Sequence, residues 1–197
     1  VIERVELLAK EGGRSGTYVR DEDAARLAGA GAVEAAEAAS HEAVVVTCSN
    51  RSAAGERPDT GGPAVVTALG AAGFDVAPKP IVVPDDEDRI ADLLRALADG
   101  GHRLILTTGG TGLTPGDVTP AATRRVIDRE VPGLAELMRA AGVASTPMAA
   151  LSRGIVGVRG AALIANLPGS PRGALESFEA LRPVLRHALE QLAGGDH

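Results

Sequence analysis

The sequence predicts an α/β fold of three layers, in which a mainly parallel sheet is covered by helices on both faces. Two observations carry this prediction. Continuous apolar runs of strand length, such as 43–47 and 103–107, are typical of strands that are buried on both faces. These runs alternate with segments of helical periodicity, such as the one that contains Ile90, Leu93 and Leu97. Strands that alternate with helices imply right-handed crossovers and therefore parallel neighbours.

Composition excludes several classes of protein. The 197 residues include 45% hydrophobic and only 2% aromatic residues, and the formal net charge is −6. Because the net charge is negative and aromatic side chains for base stacking are few, nucleic-acid binding is not expected. The single cysteine, Cys48, permits no internal disulfide and fits a reducing cytoplasm. No apolar run approaches the ~18 residues of a membrane span, and no signal peptide is recognisable. Because the sequence starts with Val1, we expect it to be a fragment or a processed form.

The first forty residues are predicted to be an appendage. Residues 1–20 contain strand-like positions and a Lys-Glu-Gly-Gly-Arg-Ser-Gly stretch, which could bind an anion but fits a charged hairpin more simply. Residues 21–41 are rich in Ala, Glu and Gly and are predicted to be a semi-rigid, partly helical linker.

The domain predicted over 42–197 contains the remaining elements in alternation. The strand 43–47 is followed by a loop over 48–60 and a helix over 62–72, and 76–83 is a second strand. The elements that follow are a helix opened by acidic residues 85–87, the strand 103–107, helices over 120–129 and from 132, a strand over 161–165 with 155–158 as its partner, and a final helix over 171–192.

Three loops are predicted to build the functional site. In parallel sheets, ligands bind outside the carboxyl ends of the strands. The loops that leave this edge are 48–60, 107–119 and 166–171.

The second loop has the residues of an anion site. Three glycines, Gly109, Gly110 and Gly112, follow a buried strand and can leave backbone amides uncovered. A carboxylate, Asp117, comes next, and Thr119-Pro120 is predicted to be an N-cap followed by the first helical residue. This order suits a phosphorylated ligand, although a plain tight turn remains an alternative.

The first and third loops add a second carboxylate and a helix start. Asp59 precedes a helix and could be only its N-cap. Together with Asp117, however, it offers the two carboxylates that Mg²⁺ needs when phosphate and water supply its other ligands. In the third loop, Ser170 is predicted to be an N-cap and Pro171 the first helical residue.

The motif Thr-Gly-Gly-Thr-Gly, with Asp-Val-Thr-Pro downstream, resembles the MogA/MoaB-like molybdopterin adenylyltransferase family. The resemblance extends over residues 42–192. The resemblance implies the molybdopterin-binding-like fold, molybdenum cofactor biosynthesis, and a homotrimer that transfers AMP from ATP to molybdopterin with Mg²⁺. Asp59 and Asp117 match the family's two functional acids and are the implied catalytic and metal-binding residues. Where the family usually has Asp, Ser and Arg, this chain has Asn50, Gly61 and Gly116.

Other family words extend the implied site. The Leu-Pro-Gly-x-Pro motif of the third loop matches a family motif that helps to form the pterin pocket. Arg153 could bind the terminal phosphate of a pterin or form a surface salt bridge. The implied ligand-binding residues are Ser49, Arg51, Thr108, Gly109, Gly110, Thr111, Gly112, Ser152, Arg153, Pro168, Gly169 and Ser170.

The resemblance leaves three other functions open. These are a non-catalytic pterin-binding paralogue or scaffold, the related molybdate-inserting domain, and an unrelated Mg²⁺-dependent nucleotide phosphohydrolase. A molybdate-insertion enzyme is the implied downstream partner. Residues 1–20 also resemble the C-terminal tail of MoaC-like cyclic pyranopterin monophosphate synthases, which implies a fusion of two steps of one pathway.

Overall fold

A computed structural model describes residues 5–7, 16–18 and 41–194 of the chain. The strands are β1 (Val5–Leu7), β2 (Gly16–Tyr18), β3 (Ala43–Cys48), β4 (Ile81–Val83), β5 (Leu104–Thr108), β6 (Arg129–Glu130), β7 (Val156–Arg159) and β8 (Ala162–Leu167). The helices are α1 (Asn50–Ala53), α2 (Gly61–Ala71), α3 (Glu87–Asp99), α4 (Thr119–Arg124), α5 (Pro132–Ser145) and α6 (Pro171–Leu192), with a short 3₁₀ helix over Pro147–Leu151.

The predicted α/β class is confirmed by a six-stranded sheet in the order β4-β3-β5-β8-β7-β6. β4, β3, β5 and β8 are parallel to one another, whereas β7 is antiparallel to β8 and β6 is antiparallel to β7. The sheet is therefore mainly parallel, and the carboxyl ends of its four parallel strands share one edge.

The core lies on both faces of the sheet, because successive side chains of a strand point to opposite faces. In β3, Ala43 and Val45 pack with residues of α2, α5 and α6. Val44 and Val46 of the same strand pack with residues of α3 and α4. This arrangement explains why the strands are continuous apolar runs.

Two predicted boundaries are wrong. The strand predicted over 76–83 is reduced to β4, because Pro78 and Pro80 supply no N–H donor and Val76 makes only an isolated bridge to Ala43. The helix predicted over 120–129 ends at Arg124. The chain instead turns toward β7, and the Asp128 N–H donates to the Val158 carbonyl at 2.7 Å.

Two local predictions at the carboxyl edge also need correction. Thr119 is not an N-cap: helix α4 already includes it, Val118 occupies the cap position, and no side chain caps the helix. The loop over 48–60 contains the short helix α1, because the Ser49 side chain accepts a hydrogen bond from the Ser52 N–H.

The residues before 41 are described only in part. β1 and β2 pair antiparallel, with Val5 opposite Tyr18, as expected for a hairpin. The linker predicted over 21–41 lies outside the described residues, apart from His41.

Within the part of the chain that the structure describes, no helix combines the length and the apolar character needed to cross a membrane.

Candidate active site

The three predicted loops meet in one polar cavity of about 630 Å³ at the carboxyl edge of the sheet. Residues that follow β3, β5 and β8 all line this cavity, as the position of the loops predicts. The predicted site residues in its lining are Ser49, Arg51, Asp59, Thr108, Gly109, Gly110, Asp117, Gly169 and Ser170.

A second, mainly apolar cavity of about 280 Å³ has Met138 and Leu151 in its lining. It shares Ser170 with the polar cavity, so the two adjoin at the start of α6. The structure thus divides the predicted ligand-binding residues, with the exception of Arg153, between two neighbouring cavities. Those that line the apolar cavity are Thr111, Gly112, Ser152, Pro168 and Ser170.

Asp59 is fixed by hydrogen bonds from two elements. Its Oδ1 accepts from the N–H groups of Gly61 and Gly62, at 3.0 and 3.1 Å, at the start of α2. Its Oδ2 accepts from the Thr47 hydroxyl at 2.6 Å, and the Thr108 hydroxyl donates to Thr47 at 3.3 Å. A carboxylate is favoured at a helix N-terminus, so Asp59 does cap α2, from just outside the cap position that Thr60 occupies.

Asp117 is fixed by its own loop. Its Oδ2 accepts from the Thr114 hydroxyl at 2.6 Å and from the Thr114 N–H at 2.8 Å. The Thr114 hydroxyl is the main reason why the pKa of Asp117 lies below its ordinary value; the N–H groups of Thr114 and Gly112 and the charge of Arg153 act in the same direction. Asp117 is therefore ionised at neutral pH and its orientation is set.

The glycine loop turns sharply between these two carboxylates. Gly109 and Gly110 have φ of +93° and +60°, which a residue with a Cβ rarely adopts. The Gly109 N–H donates to the Leu167 carbonyl at 3.3 Å, so the expectation that this amide is free for a ligand is wrong. Within the described residues, the N–H groups of Gly110 and Thr111 donate to no other group. They are the amides of this loop that a ligand can use.

Arg153 lines neither of these two cavities. Its Nε donates to the Gly112 carbonyl at 2.5 Å, its Nη2 donates to the Asp117 carbonyl, and its N–H donates to the Thr111 carbonyl at 2.9 Å. These bonds hold the glycine loop from outside. The salt bridge considered as an alternative is absent from the described residues, and a phosphate contact stays a prediction.

Two guanidinium groups balance the carboxylates of the polar cavity. Arg51 and Arg57 both line it, and neither forms an ion pair within the described part of the chain. Unpaired guanidinium groups suit polyphosphate, because their planar forks match phosphate oxygens. From the sequence, each of these arginines could offset nucleotide charge or simply be solvated, and Arg51 is favoured. The structure places both in the cavity lining.

Mg²⁺ fits the donor set as a metal that binds together with a phosphate ligand. Among the described residues, no three His, Cys, Asp or Glu side chains are grouped to hold a metal ion. Asp59 and Asp117 line one cavity, and their hydrogen bonds leave acceptor capacity on Asp59 Oδ2 and Asp117 Oδ1. Mg²⁺ is usually held by one or two carboxylates plus substrate phosphates.

Three polar residues of the site were missed by sequence reasoning. Thr47, the polar residue near the end of the apolar strand β3, donates a hydrogen bond to Asp59. Asn166 of β8 is buried and donates to the hydroxyls of Thr107 and Thr123, at 3.1 and 2.9 Å. Asp85 lines the polar cavity although it follows β4, whose loop was not considered. A polar residue at or just after the carboxyl end of an apolar strand is the sequence signal that could have identified these three residues.

The three departures from the family pattern are accommodated. The Asn50 side chain accepts a hydrogen bond from the Asp85 N–H at 3.0 Å. A Cβ on Gly61 would have no atom closer than 3.6 Å, and one on Gly116 none closer than 4.0 Å, so either position has room for a side chain. None of these residues disturbs Asp59 or Asp117.

Cys48, to which we assign no role, is buried at the floor of the cavity. Burial, with a smaller contribution from the charge of Asp85, raises the pKa of its thiol to about 12. Because the thiolate is the nucleophilic form, this cysteine is inert at neutral pH.

Comparison with known proteins decides which family this site belongs to. Residues 44–187, well over half of the chain, match the family described as "Probable molybdopterin binding domain". The chain belongs to this family. The MogA/MoaB-like resemblance of the sequence is thereby supported.

Several relatives of this domain have names that refer to the biosynthesis of the molybdenum cofactor. The chain is 40% identical over 140 residues to the molybdopterin adenylyltransferase of Haemophilus influenzae, covering 70% of this chain and 71% of that protein. It is 37% identical over 191 residues to the molybdenum cofactor biosynthesis bifunctional protein of Synechococcus elongatus, covering 97% of this chain. The chain spans only 58% of that bifunctional protein's length.

Solved structures of the family share the fold. The crystal structure of the molybdopterin biosynthesis enzyme MoaB from Thermus thermophilus is 54% identical in sequence, with a TM-score of 0.73. The match covers 78% of this chain and 97% of that chain. The MoaC-like interpretation of residues 1–20 is not tested by these similarities and stays a prediction.

Proposed function

We propose that the chain is a Mg²⁺-dependent molybdopterin adenylyltransferase, which transfers AMP from ATP to molybdopterin and releases pyrophosphate. One observation carries this proposal: Asp59 and Asp117, each held by its own hydrogen bonds, line one cavity with two unpaired guanidinium groups. The names of the relatives that are about 40% identical support the same reaction.

The polar cavity is the proposed site of ATP. The guanidinium groups of Arg51 and Arg57 and the amide of Gly110 offer donors to phosphate oxygens there. The amide of Thr111 is available on the side of the apolar cavity. The adjoining apolar cavity is the proposed site of the pterin. Its position beside Ser170 would bring the pterin phosphate toward the nucleotide.

The proposed reaction is a nucleophilic substitution at phosphorus. An oxygen of the pterin phosphate attacks the α-phosphorus of ATP, and a new P–O bond forms. The bond from this phosphorus to the bridging oxygen breaks, and pyrophosphate leaves with the electron pair. The protein forms no covalent bond, so its contribution is to orient the two phosphates and to offset their negative charge.

Asp59 and Asp117 are the residues that would hold Mg²⁺. When bound, the metal would neutralise charge on the phosphate oxygens and on the leaving pyrophosphate. The hydrogen bonds from Thr47 and Thr114 fix the two carboxylates before any ligand arrives. The donor set is therefore preorganised.

The first test is pyrophosphate release from ATP and Mg²⁺, with and without molybdopterin. We expect release only with the pterin, and at least about 100-fold less in Asp59→Asn and Asp117→Asn, the size of effect seen when one preorganised charge-stabilising group is lost. Both variants should fold, because asparagine keeps one acceptor oxygen for the loop amides. Asp92→Asn, which removes an exposed charge on α3, is the matched control and should retain full turnover.

Three results would contradict the proposal. Release without pterin would indicate a nucleotide phosphohydrolase. Pterin binding without release by the unaltered chain would indicate a binding or scaffold protein. Full turnover in both aspartate variants would refute the assigned roles.

Three wider expectations are also proposals. A homotrimer, a cytoplasmic location and a molybdate-insertion enzyme as the next partner rest on the family resemblance and on the cysteine content. The MoaC-like identity of residues 1–20 rests on the sequence resemblance alone. The mass in solution, measured by light scattering, tests the trimer.

A further inference from the structure

We propose that Asp85 is a positioning residue that fixes the arginine-bearing segment of the nucleotide cavity against the glycine loop. This inference rests on the proposed function, because it takes ATP to be the occupant of the polar cavity. Asp85 follows β4, the edge strand, and lies outside the three loops that the carboxyl-edge rule selects. It nevertheless lines the cavity.

The first contact of Asp85 is a reciprocal pair of hydrogen bonds with Asn50. The Asn50 N–H donates to Asp85 Oδ2 at 2.9 Å, and the Asp85 N–H donates to Asn50 Oδ1 at 3.0 Å. The two residues are 35 positions apart in the chain, so this pair ties the end of one strand to the loop that follows another. The parallel pairing of β3 and β4 brings them together, and the Ser49 N–H extends it by donating to the Val83 carbonyl at 2.9 Å.

The segment that this pair holds has little else to hold it. Helix α1 has only four residues and none of them is buried. The first amides of a helix need partners from outside, and α1 takes one from the Ser49 side chain and one from Asp85. Because α1 and the turn after it present Arg51 and Arg57 to the cavity, the position of both guanidinium groups depends on these two caps.

The second contact of Asp85 is with the glycine loop. Its Oδ1 is buried and has no hydrogen-bond partner among the described residues. A Cβ placed on Gly110 would lie 3.2 Å from this oxygen. One carboxylate therefore caps the arginine-bearing segment with one oxygen and directs the other to the space beside Gly110. Burial of an unpaired oxygen is unfavourable, so the contact is kept against a cost in stability.

This role depends on hydrogen bonding and shape rather than on charge. Asp85→Ala removes the acceptor for the Asn50 N–H, whereas Asp85→Asn keeps an acceptor oxygen and nearly the same volume. Asp86→Ala is the matched control: it removes a neighbouring carboxylate that caps α3 by accepting from the Arg89 N–H at 2.9 Å, and Asp86 does not line the cavity.

The experiment measures the affinity for ATP with Mg²⁺ by calorimetry, and KM and kcat by pyrophosphate release. In Asp85→Ala we expect the Kd and KM for ATP to rise about tenfold, the effect of losing one or two hydrogen bonds, while kcat changes less than about threefold. Asp85→Asn and Asp86→Ala should stay within about twofold of the unaltered chain. Asn50→Ala combined with Asp85→Ala should weaken binding no further than Asp85→Ala alone.

A second measurement needs no nucleotide. Amide hydrogen exchange over residues 49–57 should be faster in Asp85→Ala than in the unaltered chain, and unchanged in Asp86→Ala. Unchanged exchange in Asp85→Ala would overturn the inference, and so would equal losses of affinity in Asp85→Asn and Asp85→Ala, since charge would then be decisive. If the unaltered chain binds no ATP, the proposed function fails, and exchange still decides the position of the segment.

Discussion

At the scale of single residues, the site depends on how closely the backbone of α2 approaches the carboxylate of Asp59. A Cβ on Gly62 would lie 2.4 Å from Thr47 Oγ1 and 2.5 Å from Asp59 Oδ2, closer than atoms can pack. At the neighbouring Gly61, the nearest atom to a Cβ would be 3.6 Å away. Adjacent glycines therefore have different reasons to be glycine: Gly62 makes room for the functional carboxylate, and Gly61 does not.

The first prediction compares these two glycines. Gly62→Ala should lower the free energy of unfolding by about 1–3 kcal/mol, the usual cost of overpacking, and should reduce pyrophosphate release because Asp59 is displaced. Gly61→Ala should leave both quantities nearly unchanged. Urea denaturation and the turnover assay measure them. Equal behaviour of the two variants would show that Asp59 is not held as tightly as its contacts indicate.

At the scale of elements, α6 begins between the two cavities. Ser170 caps the helix by accepting from the Gly173 N–H at 3.2 Å, and Pro171 occupies its first turn, both as the sequence predicts. The same serine lines both cavities. A residue that is sufficiently explained as a helix cap therefore also lies where the two proposed substrates would meet.

The second prediction separates these two roles of Ser170. Ser170→Ala should cost about 1 kcal/mol of stability, because the Gly173 N–H loses its acceptor. Ser170→Asp should keep that stability, since aspartate is an equally good cap, but should weaken ATP binding by repulsion of phosphate. Ser145→Ala, an exposed position at the end of α5, is the control for stability. Unweakened ATP binding by Ser170→Asp would show that phosphate does not approach α6.

At the scale of the whole molecule, the sheet separates two apolar clusters. Phe178 is fully buried with α2 and α5 on one face, and Leu94 is fully buried with β3 and β4 on the other. Each cluster contacts its own face of the same strands, so among the described residues the sheet joins the two halves of the core. All the site loops emerge from that shared layer.

The third prediction tests this organisation. Phe178→Ala should cost about 3–5 kcal/mol and Leu94→Ala about 2–5 kcal/mol, because each leaves a cavity in a packed core. The double variant should show the sum of the two losses within about 0.5 kcal/mol, since the residues share no cluster. Denaturant titration of the four chains measures the coupling. A clearly non-additive loss would indicate that the two halves of the core repack together.

Much of the candidate site could be predicted from the sequence because its residues follow strands. Asp59 and Asp117 each come after an apolar strand run, so the rule for parallel sheets places both loops at the same edge of the sheet without coordinates. The residues that hold them could not be predicted in the same way. Thr47 looks like the end of a strand, and Asp85 looks like part of an acidic helix start, until strand pairing places them beside the loops.

The sequence by itself determined the fold class, the alternation of elements, the edge that carries the site and the two carboxylates in it. These follow from local periodicity and from the order of segments, which are properties of the chain alone. Only the tertiary structure decided that most of the predicted ligand residues divide between two cavities, that Arg153 holds the glycine loop, and that Asp85 is bonded to Asn50 of α1. Those outcomes depend on contacts between residues dozens of positions apart in the chain. Strand pairing in the sheet sets how close such residues come to one another in space.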